Sequence, residues 1–90
     1  MKHTIINYYN QGICINRDSF IELLDYREIN HISYHRPYTI ISTIKKKEIF
    51  VSYSLVDFIS NLPDFFVSPR RSTCLNMLEF THFSFPNYRD

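Results

Sequence analysis

The sequence predicts an α+β domain, residues 1–90: two ββα units forming an antiparallel sheet with helices on one face, plus a C-terminal helix and short strand. Three observations carry this. Residues 39–60 (TIISTIKKKEIFVSYSLVDFIS) place β-branched runs on either side of a polar turn and then a capped amphipathic segment. Residues 4–25 (TIINYYNQGICINRDSFIELLD) repeat that order at a fixed offset of 35, without gaps. The identities are Thr4/Thr39, Ile5/Ile40, Ile6/Ile41 and Ser19/Ser54, with conservative pairs such as Ile21/Val56 and Glu22/Asp57 around them. Two readings fit these pseudo-repeats: an old duplication, or two independent segments sharing a general hairpin–helix pattern.

The elements follow in order. Residues 4–9 are strand-like, Asn10-Gln11-Gly12 closes a hairpin with Gly12 free to take positive φ, and Ile13-Cys14-Ile15 returns. Asn16 or Asp18 is the expected cap of a helix reaching Tyr26. Its apolar face is Phe20, Leu23 and Leu24, and its polar face is Asp18, Glu22 and Asp25. A polar connection follows, in which Pro37 keeps Arg36 out of the α region. The second hairpin spans residues 38–44 and 49–53. Ser54 and Asp57 resemble a capping box, and Pro63 ends the helix they start.

Beyond Pro63, Phe65 and Phe66 lie in a short segment. Ser68-Pro69 reads as the N-cap and first residue of a third helix reaching Phe80, with Cys74, Leu75 and Leu78 inward and Ser72 as an alternative cap. Residues 81–85 alternate polar and aromatic, as an edge strand would, until Pro86.

Composition narrows the function. Net charge is +1, so bulk charge favours neither nucleic acid nor membrane. The absence of alanine and the excess of Ile, Phe, Tyr, Asn and Lys follow from AT-rich coding DNA, which points to a phage, virus, mobile island or AT-rich bacterium. Seven tyrosines and eight phenylalanines exceed what so small a core encloses, so some rings are expected at an interface. Cys14 and Cys74 have no motif spacing and are expected as free thiols in a cytoplasmic, reducing compartment. Apolar runs fall far short of the ~20 residues that span a bilayer, so no membrane association is expected.

Catalytic patterns are missing. One glycine builds neither a phosphate-binding loop nor a dinucleotide fingerprint, and no nucleophile sits in a recognised setting. His31 and His35 could join Cys14 and Cys74 at zinc, but without ligand spacing surface histidines are the simpler reading. No enzyme activity, metal site or cofactor is expected.

The expected function is therefore a small non-enzymatic protein-binding module, an inhibitor or regulator encoded by a phage or mobile element. It would engage a protein partner or a second copy of itself through Phe65, Phe66, Phe83 and Phe85. The alternative is a nucleic-acid-binding transcriptional regulator with a Lys-rich hairpin wing. In that reading Arg36, Lys45, Lys46, Lys47, Arg70 and Arg71 hold phosphates or an acidic partner. Arg70 and Arg71 in a first helical turn would oppose the helix dipole, which calls for an anion or a later helix start.

Overall fold

A computed structural model describes residues 4–78. The order is β1 (Thr4–Tyr8), β2 (Gly12–Arg17), β3 (Phe20–Asp25), a 3-10 turn (Tyr26–Glu28), β4 (Ile29–His35), β5 (Tyr38–Thr43), β6 (Glu48–Val51), α1 (Leu55–Asn61), β7 (Phe66–Arg70) and β8 (Thr73–Asn76). Strands 1–3 form one antiparallel sheet in sequence order. The other five form a second sheet in the order β6-β5-β4-β8-β7. The described chain is mostly β with one α-helix, which corrects the expectation of two ββα units on a single sheet.

The second unit does form a hairpin and a helix, β5–β6–α1. Ser54 accepts from the Asp57 amide, and Leu62 closes the helix one residue before Pro63. The first unit continues as a strand instead. Asp18 takes φ 54 and, with Ser19, makes a two-residue turn that brings Phe20 opposite Arg17. β3 then pairs with β2 along six residues, Phe20 to Asp25. The physical reason is that FIELLD satisfies both periods. Phe20, Leu23 and Leu24 fit a helix stripe, while Phe20, Glu22 and Leu24 fit one side of a strand. A helix this short is marginal by itself, whereas pairing satisfies the open edge of β2.

The predicted third helix does not form over its first residues, 69–76, and its last two, 79 and 80, lie outside the described residues. Residues 66–76 form the β7–β8 hairpin, and Pro69 falls within the register irregularity between Val67 and Arg70. β7 is an edge strand, where a residue without an amide hydrogen is tolerated. Ser68 caps nothing: its hydroxyl lies 2.6 Å from the Arg70 carbonyl and 2.8 Å from that of Thr73. With no helix there, Arg70 and Arg71 oppose no dipole. The predicted strand at residues 81–85, Phe80, and the interface residues Phe83 and Phe85 lie outside the described residues.

The first turn also needs a correction. Gly12 has no positive φ. It is glycine because a Cβ there would stand 2.0 Å from the Leu24 carbonyl oxygen and 2.9 Å from the Asp25 Cα.

The core lies between the sheets. Ile6, Ile13, Ile15 and Leu24 face inward from the three-stranded sheet, and Ile32, Ile41, Val51 and Cys74 from the five-stranded one. Phe58 of α1 is fully buried, with the rings of Tyr53 and Tyr8 edge-on at 4.7 and 6.4 Å. Two side chains bridge the edge of β6 to the other sheet. Lys47 pairs with Glu22 of β3 at 2.5 Å, and the Arg17 guanidinium donates to the Phe50 carbonyl at 2.6 Å.

Candidate functional site

The alternation of strand residues decides what each sheet shows to solvent. On the three-stranded sheet Ile6, Ile15 and Leu24 point inward, so their neighbours Ile5, Ile21 and Leu23 point outward. They are 57, 64 and 73% exposed. Cys14 lies opposite Leu23 on this outer face. β3 ends its sheet, and no described strand pairs with its other edge. An edge strand carrying exposed β-branched and aliphatic side chains is a template for a further strand.

A second feature sits where the end of this sheet reaches the β6 edge. An open cleft of about 710 Å³ is lined by Thr4, Arg17, Asp18, Phe20, Tyr38, Phe50 and Ser52. Three rings border it with about half of their surface exposed: Phe20 (55%), Tyr38 (45%) and Phe50 (45%). Tyr38 and Phe50 meet edge-to-face at 6.0 Å, and the Arg17 guanidinium stands 5.3 Å from the centre of the Phe20 ring.

The predicted cations separate into two groups. Lys45, Lys46 and Lys47 occupy the β5–β6 turn, where Lys46 adopts φ 65 and Lys47 is engaged by Glu22. Arg36 is in the β4–β5 turn, at the opposite end of β5. Arg70 and Arg71 are in the β7–β8 turn. Antiparallel pairing of Ser33 with Thr73 places that turn beside the C-terminal end of β4, where the Tyr34 amide donates to the Ser72 carbonyl at 2.9 Å. Arg36, Arg70 and Arg71 thus share one end of the five-stranded sheet, and the three lysines lie at the other. All six form no single basic face.

The predicted interface rings behave differently. Phe66 is 8% exposed and packs edge-on to Tyr26 at 5.8 Å, so it belongs to the core. Phe65 is half-buried against the same ring at 6.0 Å.

The four imagined zinc ligands are not brought together. Cys74 is buried on the core side of β8, His31 and His35 lie on the outer face of β4, and Cys14 is on the other sheet. No group of three or more His, Cys, Asp or Glu is arranged for a metal ion among the described residues. Burial, then the hydroxyl of Tyr53 at 2.9 Å, hold the Tyr8 phenol far above its ordinary ionisation range, so it stays neutral and serves packing. Burial pushes the Cys74 thiol up to about 11, which removes it as a nucleophile near neutrality.

Sequence reasoning missed Arg17, Phe20, Ile21, Leu23, Tyr38 and Phe50. The dipeptide Asp18-Ser19 between two apolar runs is the one local signal for the turn that exposes them. No helix among the described residues is long and apolar enough to cross a membrane. No family model matches the chain, and no curated protein or solved structure shows significant similarity to it.

Proposed function

We propose that this chain is a small non-enzymatic protein-binding module that takes an extended segment of a partner protein against the outer edge of β3. The observation that carries the reading is the combination of a strand edge that no described strand pairs with and Ile21 and Leu23 exposed beside it, at 64 and 73%. Backbone hydrogen bonds from the added strand supply affinity, and side chains resting on Ile21 and Leu23 supply selection. A domain this small gains from such a contact, because it buries a smaller share of its surface than a larger domain does. An inhibitor or regulator working by occupancy fits this mode, since strand addition needs no catalytic group. Encoding by a phage or mobile element is part of the same reading and rests on composition.

The test is affinity purification from the native host with nuclease treatment, comparing the native chain with Leu23→Lys. A protein retained by the native chain and by Lys46→Gln, but lost with Leu23→Lys, supports the reading. Equal retention by Leu23→Lys overturns it. Sedimentation of the purified chain separates a foreign partner from a second copy: a dimer lost with Leu23→Lys makes the partner this chain itself.

A further inference from the structure

We infer that the arginine-bearing end of the molecule is a binding site for an unpaired nucleic-acid strand, with a base seated in the Phe20–Tyr38–Phe50 cleft and phosphates on Arg17, Arg36, Arg70 and Arg71. This site is separate from the outer face of β3 and does not rest on that reading.

Topology assembles it from four distant parts of the chain. Arg17 at the end of β2, Phe20 at the start of β3, Tyr38 at the start of β5 and Phe50 of β6 line the cleft, and Arg36 is in the β4–β5 turn just before Tyr38. The β7–β8 turn adds Arg70 and Arg71, which sit beside the end of β4 through the Tyr34–Ser72 backbone bond. Their turn and that of Arg36 are two strand spacings apart, roughly 10 Å. A chain whose net charge is only +1 therefore places three arginines at one end of the five-stranded sheet and a fourth, Arg17, at the cleft beside β6. Among the described residues, Asp18 is the one acidic side chain lining the cleft.

The ligand class follows from the mixture. Arginines alone would suit any anion, including an acidic protein surface. Three half-exposed rings around a cleft of about 710 Å³ add something carboxylates do not use, namely faces and edges for stacking. Nucleobases provide a flat partner and the phosphodiester chain provides the charge, and that pairing characterises single-strand sites. A duplex presents neither an unstacked base nor the flexibility to enter the cleft. The Lys-rich turn is not part of the site, because it lies at the other end of the sheet.

Fluorescence anisotropy tests this with labelled oligo(dT) and oligo(U) of about twelve nucleotides, a length within the range such sites cover. A duplex of equal length and polyglutamate serve as competitors. Binding of either single strand is expected to weaken between about 50 and about 200 mM salt, with each phosphate-bound arginine contributing about 0.7 to the log–log slope. Arg70→Gln and Arg71→Gln, both in an exposed turn, should each lower that slope. Phe50→Ala and Tyr38→Ala should weaken binding by about 5- to 150-fold while leaving the slope unchanged. Lys46→Gln should behave as the native chain. Thermal melting confirms that each variant is folded, and Phe50→Leu is used if Phe50→Ala is not. A preference for oligo(U) or oligo(dT) reports the 2′-hydroxyl or the thymine methyl and supports the site either way. The inference is overturned by no binding at low salt, by competition from duplex or polyglutamate as strong as from single strands, or by ring substitutions without effect. Because the surfaces differ, Leu23→Lys should retain oligonucleotide binding even where it abolishes partner capture.

Discussion

Asn76 donates from its side-chain amide to the backbone carbonyl of Tyr26 at 2.9 Å, and the same nitrogen reaches the Ile29 carbonyl at 2.7 Å. Asn76 is fully buried at the end of β8, and its oxygen accepts from the Leu78 amide at 3.0 Å. One side chain thus closes the connection between the two sheets, joining the Ile29 amide as a second donor to the Tyr26 carbonyl. Asn76→Leu keeps the volume and removes both side-chain bonds, while the Tyr26 carbonyl keeps the Ile29 amide. It is expected to cost about 2 kcal/mol, for the loss of two buried hydrogen bonds. Urea unfolding measures it, and a loss below about 1 kcal/mol would show that water satisfies the carbonyls instead.

Gly12→Ala tests the close approach of β2 to β3. A methyl group 2.0 Å from the Leu24 carbonyl oxygen cannot be absorbed by a rotamer change, because the obstacle is backbone. The expected cost is about 2–3 kcal/mol, which in a domain of this size lowers the thermal midpoint by roughly 10–20 °C. Gln11→Ala, on the exposed turn beside it, should leave the midpoint almost unchanged. Equal midpoints for Gly12→Ala and the native chain would mean that β2 and β3 do not pair in this register.

Cys74 should make the fold sensitive to alkali. Its thiol is raised from 9.0 to about 11 by burial, so the unfolded chain loses its proton first. Its contribution is complete below pH 9 and disappears as pH rises towards 11. Replacing Cys74 with Val is expected to flatten stability over that window, as read by urea midpoints at successive pH values. In the native chain a thiol reagent should modify Cys14, on the sheet surface, well before Cys74. Equal labelling rates would place Cys74 outside the core.

Two of the three lysines at the β5–β6 turn should respond in opposite directions. Lys47→Gln removes the exposed pair with Glu22 and should cost less than about 1 kcal/mol, with a smaller effect at high salt. Lys46 holds φ 65, a left-handed backbone that asparagine adopts more readily. Lys46→Asn should therefore raise stability by about 0.5 kcal/mol. A destabilised Lys46→Asn protein would place that turn in another conformation.

Local chemistry explains the parts of the fold that were legible. Both hairpins follow from β-branched runs around polar turns, and α1 follows from Ser54 before an apolar stripe with Pro63 behind it. The surplus of rings over core space was also readable: Tyr9, Phe20, Tyr34, Tyr38 and Phe50 all remain more than 40% exposed. The two errors share a cause. FIELLD and the stretch after Ser68-Pro69 each carried a plausible cap and too few residues to separate a period of 3.6 from one of 2.

Local pattern alone determined the β1–β2 and β5–β6 hairpins, the Ser54-capped α1 and a surplus of rings over core space. Tertiary pairing decided that Phe20–Asp25 and Thr73–Asn76 are strands, because each met a neighbour with an unsatisfied edge. It also decided which cations meet. Antiparallel registers carry the Arg36 and Arg70–Arg71 turns to one end of a sheet and Lys45–Lys47 to the other, a consequence of strand direction that no stretch of sequence contains by itself.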